Sequence, residues 1–349
     1  PKKISSGRKP GGQPGHQAHQ RELVPIEKVD EMIPIKPDQC RGCHASLMGD
    51  DKNPHRHQVT EIPQIQPHIT EYQLHTLICS KCHIETAAVL PDGIPQGSFG
   101  PHLITVVSLL TGFYHLGRRT AVQALSDLFG VRLCLGSIIS CEQITSAALA
   151  TPVIEAQAYV KEQNVKHADE TSWYEGVSRN KVWLWVALTE QVTVILIRAS
   201  RSAAIAKELL GETFGVLVTD RWTGYLWWPL KFRQLCWAHL KRHFQFFAES
   251  GGEAERIGLK LLEETKLLFK WWHRVRDGTL KRSTFQTYVK PLRKRVADLL
   301  REGTICGHHK IEGMCREILK LEPALWTFVR LAGVSPTNNA AERAIRSSV

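Results

Sequence analysis

Two aspartates stand where a divalent cation could be held. Asp169 closes the β-rich run Val165-Lys-His-Ala-Asp169, and Asp220 closes Gly215-Val-Leu-Val-Thr-Asp220. A carboxylate at one strand end is commonly a loop solvator or a helix cap. Two at the ends of neighbouring strands repel each other unless a cation lies between them. Oxygen donors with no softer partner suit magnesium or manganese. A third acid, Glu342, lies in Ser335-Pro-Thr-Asn-Asn-Ala-Ala-Glu-Arg-Ala-Ile-Arg346, where Asn338, Glu342 and Arg346 recur at four-residue spacing and so share one helical face. Ser335-Pro336 or Thr337 can open that helix. Ala-Ala-Glu-Arg-Ala would suit any solvated helix, but Asn338 and Asn339 fit a helix interior less well.

Nine cysteines are present, and four of them form two pairs, Cys40-x-x-Cys43 and Cys79-x-x-Cys82. Four thiolates satisfy tetrahedral zinc and leave no position for water, so such a site is structural. The 35 residues between the pairs exceed the usual spacing, and buried free cysteines are the alternative. His44 and His83 sit beside the turns and could replace a ligand. Cys134, Cys141, Cys306 and Cys315 lie on helical patterns and read as small core residues.

The elements that must position the aspartates are β-rich. Residues 165–169, 181–189 and 192–198 form three runs separated by the polar turns Ser178-Arg-Asn180 and Glu190-Gln191, the pattern of an antiparallel meander. A capped helix over 200–210 ends at Gly211, a buried fourth strand ends at Asp220, and Phe232-Arg-Gln-Leu-Cys-Trp237 reads as a fifth. This order is that of a ribonuclease-H-like sheet, in which strand four runs parallel to strand one and brings Asp220 to Asp169.

Around this core the chain is multidomain α/β. Residues 1–36 form a basic Gly/Pro-rich linker, residues 37–93 a zinc-ribbon-like module, and residues 94–160 a helical domain. In the helical domain, Thr120–Leu128, a glycine turn and Gly136–Ala148 outline a helix-turn-helix. The ribonuclease-H-like catalytic core covers 161–239, a basic helical insertion 240–332, and the helix of Glu342 closes the core over 333–349. The net charge is +11 and the pI near 9.3. Between Arg256 and Arg301 there are 13 Lys or Arg against 4 Asp or Glu, so one helical segment holds +9 of that charge and suits a phosphate-facing surface. No apolar run is long enough to span a bilayer and no apolar stretch follows the basic start, so a cytoplasmic, nucleoid-associated protein is expected.

Several ordered blocks carry a resemblance. Asp169-Glu-Thr, Thr219-Asp-Arg-Trp-Thr-Gly-Tyr225, Cys236-Trp-Ala-His-Leu240 and Pro336-Thr-Asn-Asn-Ala-Ala-Glu-Arg343 resemble successive blocks of the bacterial transposases of the insertion-sequence 66 family. Gly7-Arg-Lys-Pro-Gly-Gly-Gln-Pro-Gly-His16 and the doubled C-x-x-C resemble that family's linker and zinc-binding region. The resemblance implies a DDE transposase with Asp169, Asp220 and Glu342 as the Mg2+ (or Mn2+) triad, and structural Zn2+ on Cys40, Cys43, Cys79 and Cys82. Its partners would be DNA, both transposon terminal repeats and target, bound by a homo-oligomer.

Cys236 and His239 resemble a short Cys-x-x-His element of many DDE transposases. Two ligands alone make no zinc site, so packing or shaping of the active site is expected of them. Asn338, Asn339 and Arg346 are expected as accessory residues on the helix of Glu342. The alternative is a non-catalytic protein that binds transposon ends, or an inactive transposase fragment, since the chain stops seven residues after Glu342.

Overall fold

The computed structural model describes residues 22–175 and 179–347. Most of the expected basic linker, Ser178 of the expected turn and the last two residues lie outside the described residues. The chain divides into two compact units, residues 1–68 and 69–349.

In the first unit, the Gln58 side-chain amide ties residues far apart in sequence, donating to the Val24 carbonyl and accepting from the Val24 N–H. Cys40 opens a tight turn in which its N–H donates to Ala45 O at 2.9 Å and His44 N–H donates back to Cys40 O at 3.0 Å.

The second unit begins with the hairpin β1 (Thr76–Ile78) and β2 (Glu85–Ala87). Three helices follow: α1 (Pro101–Ser108), which runs on into a π-helical turn, α2 (Arg118–Phe129) and α3 (Leu135–Glu162). Val107, Leu125, Ile138 and Cys141 form their core. Helix α2 stops because Gly130 adopts φ 65°, a left-handed conformation suited to glycine. Cys141 is buried as expected, whereas Cys134 is exposed and caps α3, its sulfur accepting from Ser137 N–H.

The sheet contains β3 (Val165–Glu175), β4 (Asn180–Leu188) and β5 (Thr193–Arg198), then, after α4 (Ala203–Leu210), β6 (Val216–Thr219) and β7 (Arg233–Leu235). Strand order is β5-β4-β3-β6-β7, with β3, β4 and β5 antiparallel, β6 parallel to β3 and β7 parallel to β6. This mixed sheet is compatible with a ribonuclease-H-like domain. It departs from the sequence expectation in two places. Strand β3 continues six residues beyond Asp169 because β4 stays paired with it as far as Glu175. Strand β7 is only three residues long, because Trp237 already opens the next helix.

The sheet's two faces are covered differently. Ala168, Trp185, Ala187 and Leu217 pack with α4 and Trp228, while Val216, Val218 and Leu235 join a large helical core. That core comes from α5 (Trp237–Ala248), α6 (Gly252–Arg276), α7 (Arg282–Gly303), α8 (His309–Lys320) and α9 (Thr327–Arg330). Helices α5 and α6 approach so closely at Gly258 that a Cβ there would lie 2.2 Å from the Ala248 nitrogen. Cys315 is buried in α8, but Cys306 lies between α7 and α8 rather than on a helix.

The helical excursion is anchored where it returns. The Trp237 indole donates to Leu325 O at 2.8 Å, and Phe328 N–H donates to the Gln234 side chain at 2.8 Å. The chain then reaches α10 (Asn339–Arg346), whose Ala341 packs on Val186 and Leu188 of β4. Helix α10 starts later than Ser335 or Thr337, and Asn338 is its N-cap residue, which removes the conflict of asparagines inside a helix.

Candidate active site

Parallel pairing of Val165, Lys166 and His167 with Val216, Leu217 and Val218 sets the register between β3 and β6. Continued two residues further, it sets Asp169 beside Asp220. Asp169 is therefore in mid-strand, not at a strand end, but it lies just beyond the last residue that β6 pairs. Burial pushes its carboxyl up to about 7, helped by the charges of Glu170, Asp220 and Glu342 and opposed by the Glu170 N–H donating to Asp169 Oδ1 at 3.0 Å. Asp169 thus feels the charge of both other predicted acids, although 121 residues separate Asp220 from Glu342. A buried carboxyl crowded by other carboxylates has the chemistry that a hard divalent cation would relieve.

Asp169 and Asp220 are each held by a backbone N–H, and Glu342 is approached by side chains. Asp220 Oδ1 accepts from the Trp222 N–H at 2.8 Å, which fixes the turn after β6. Behind it, fully buried Arg233 donates from Nη2 to Thr219 Oγ1 at 3.1 Å and to the Asp220 carbonyl at 3.2 Å. Desolvation lowers this guanidinium to about 10, and its Nε and Nη1 have no partner among the described residues. Glu342 lies in the first turn of α10, with Arg242 Nη2 3.4 Å and His239 Nδ1 3.6 Å from its Oε1.

The fastening of α10 depends on Asn338. This residue is fully buried and donates from Nδ2 to the Ala168 carbonyl at 2.9 Å. His167 Nδ1–H donates to its Oδ1 at 3.0 Å, and its own N–H donates to Cys236 Sγ at 3.1 Å. Asn338 therefore joins α10 to β3 next to Asp169 and to the start of α5. Cys236 and His239 come together with Glu342, while Asn339 opens α10 and Arg346 lies exposed in its last turn.

The other face of β3 contains residues that sequence reasoning missed. Glu170 is buried, and its Oε1 accepts from Arg201 Nε at 2.9 Å and Nη2 at 2.6 Å. Its Oε2 accepts from the Tyr225 hydroxyl at 2.6 Å. Arg201 in turn lies 4.6 Å from the Trp222 ring centroid and 5.1 Å from that of Trp183. A cavity of about 580 Å³ opens beside Asp220, bounded by Arg201, Trp222, Leu226, His239 and His243. The sequence carried little signal for Glu170 or Arg233, because β3 already holds several polar and charged residues and β7 is only Arg-Gln-Leu.

The two cysteine turns, one in each unit, share one design. Cys79 N–H donates to Ile84 O at 3.0 Å and His83 N–H to Cys79 O at 2.8 Å, the same pair of bonds made around Cys40. His44 and His83 occupy the matching left-handed positions, φ 55° and 60°. Backbone N–H groups of Cys43 and Gly42 lower the thiol of Cys40, and those of Cys82 and Lys81 lower that of Cys79.

A mixed sheet of this order, with Asp169 and Asp220 on the neighbouring central strands β3 and β6, is compatible with a ribonuclease-H-like domain. Residues 96–349 match the transposase IS66 family, and the chain belongs to that family, as the sequence blocks had indicated. A search of curated proteins finds no match to the chain. Among the described residues, no helix is long and apolar enough to cross a membrane.

Proposed function

We propose that the chain cuts DNA strands at the ends of a mobile element and joins them to target DNA by metal-dependent phosphoryl transfer, with Asp169, Asp220 and Glu342 as the catalytic carboxylates. The observation that carries this reading is the β3–β6 register, which sets the two aspartates side by side on central strands next to β4, on which α10 packs. Divalent magnesium or manganese held there would activate an attacking hydroxyl and stabilise the leaving 3′-oxygen. The protein's own residues prepare that site. The Glu170 and Trp222 N–H groups each fix one oxygen of an aspartate. Asn338 holds α10 against β3, and Arg242, largely exposed beside Glu342, is suited to a DNA phosphate.

DNA would also be held by the helical insertion, although its charge is less one-sided than the sequence count suggests. Arg256, Arg293, Arg295 and Arg301 pair with Glu253 and Glu302, Glu322, Glu264 and Asp298. The surface left for phosphate includes Lys266, Lys270 and Arg274, exposed at four-residue spacing along α6, with Lys290 and Lys294 exposed on α7. We assign DNA reading at the element's ends to the helix pair α2 and α3, and zinc binding to the cysteine turns.

The test is strand cleavage of a labelled duplex taken from the DNA flanking the chain's own coding sequence, with Mg2+ present. Wild-type protein is expected to nick it and Asp220→Asn to bind it without nicking. Binding with no cleavage by the wild type would make this chain an end-binding protein.

A further inference from the structure

We propose that Cys236, His239 and Glu342 form a second cation site, selective for a thiophilic ion of the zinc type, and that filling it withdraws Glu342 from the carboxylate cluster. A sulfur, a ring nitrogen and a carboxylate oxygen from these residues lie within 4.8 Å of one another. The His239 Nδ1 to Glu342 Oε1 distance is 3.6 Å, too long for a hydrogen bond. It is near the ~3.3 Å edge of a tetrahedron whose ligand bonds are about 2.0–2.1 Å. The two groups are thus spaced as ligands of a common ion and not as partners of each other.

Two further observations point to a ligand. His239 Nδ1 is buried with no hydrogen-bond partner among the described residues, an omission that native structures rarely leave unexplained. Cys236, almost wholly buried, already accepts the Asn338 N–H at its sulfur, as a coordinating thiolate would. Cys236 is the N-cap of α5 and His239 lies in its first turn, so both groups are presented by one end of one helix. The sequence offered only two ligands here, and the fold brings the third from α10.

Sulfur, nitrogen and one carboxylate oxygen are a borderline-soft set that zinc prefers and magnesium does not. Opposing charges come from Arg242, beside Glu342, and from Arg221, and favourable ones from Asp220 and Glu342. Arg242 has a 63% exposed side chain and can swing into solvent. A zinc-type ion bound with Cys236 and His239 would hold Glu342 on the α5 side, away from Asp169 and Asp220, and so would oppose magnesium-dependent cleavage. That consequence, unlike the binding itself, rests on the transposase reading.

The experiment is a titration of the chain, freed of bound metal by a chelator, with Co2+ alone. Wild type, Cys236→Ser, His239→Gln and Arg242→Ala are compared by bound cobalt and by the thiolate-to-cobalt absorption band. The cysteine turns contribute equally to all four proteins. Wild type is expected to take up about one equivalent more than Cys236→Ser or His239→Gln. Arg242→Ala, altered only at an exposed residue, is expected to bind that equivalent about tenfold more tightly, through loss of a nearby like charge. Equal uptake by wild type and both ligand variants, or no gain in Arg242→Ala, overturns the site. Cleavage in Mg2+ that is indifferent to added Zn2+ while cobalt binds as expected overturns the inhibitory consequence alone. If no protein cleaves, the transposase reading fails and the cobalt spectra still decide the site.

Discussion

Asp169 and Glu170 are neighbours on β3 and therefore face opposite sides of the sheet. Glu170, with only 1% of its side chain exposed, is surrounded by donors: Arg201 and Tyr225 take up both its oxygens. Asp169 has a single hydrogen bond from a backbone N–H and is crowded by other carboxylates. A satisfied buried acid suits a structural part, and an unsatisfied one beside like charges suits the metal-binding part proposed for Asp169. The alternation of the strand gives adjacent residues of the same chemistry opposite surroundings.

The sharpest way to break this comparison is to neutralise each acid in turn. Asp169→Asn is expected to lower strand cleavage by on the order of 10³-fold or more, while thermal stability stays level or rises because a repelled charge is gone. Glu170→Gln is expected to do the reverse. It leaves the Arg201 charge without its partner and should lose about 2–3 kcal/mol in denaturant unfolding, while the cleavage that remains still depends on Mg2+ as in wild type. If Glu170→Gln abolished cleavage at full stability, the two faces would not be divided as argued.

A smaller effect is expected at the clasp between them. Asn338→Ala removes the bonds to the Ala168 carbonyl and to His167 and leaves both buried, at a cost of about 2 kcal/mol. Because Asn338 acts on Glu342 only through the seating of α10, cleavage should demand more Mg2+ and recover in part as Mg2+ is raised. A fall in cleavage that no concentration of Mg2+ relieves would place Asn338 in contact with DNA instead.

The sheet was legible in the sequence because its strands alternate and its turns are polar, so the meander, the capped helix ending at Gly211 and the parallel fourth strand all follow from local pattern. The length of β3 was not, since only the pairing with β4 continues it past Asp169. The three acids could be named, but the return of Glu342 could not be derived. It depends on Trp237, Gln234 and Phe328, whose bonds across the insertion have no local signature. Arg233 and Glu170 escaped notice for the same reason: burial turns a charged side chain into a fixed part of the site, and burial is a tertiary property. The basic insertion read as one-sided because a count over 256–301 leaves out Glu253, Glu302 and Glu322, which pair with its arginines.

The finest test concerns Lys166, on the Glu170 face of β3. It is fully buried, donates from Nζ to the Lys161 carbonyl at 2.5 Å, and lies 5.4 Å from the Trp228 ring centroid. No carboxylate is paired with it among the described residues, and desolvation lowers its ammonium to about 8. The folded state therefore binds this proton less readily than the unfolded chain. Below pH 8 both states carry the proton and the full cost of the buried charge is present. Between pH 8 and the ordinary lysine value of about 10.5 the unfolded chain holds more protons, so stability attributable to this residue rises with pH. Lys166→Met should consequently be more stable than wild type at pH 7, and that advantage should shrink by roughly 2–3 kcal/mol by about pH 11. Denaturant unfolding of both proteins across this range reads the difference directly, free of the titrations they share. A difference that stays flat with pH would mean that the hydrogen bond and the indole face already compensate the charge, and that this face of β3 tolerates an unpaired ion as readily as the other.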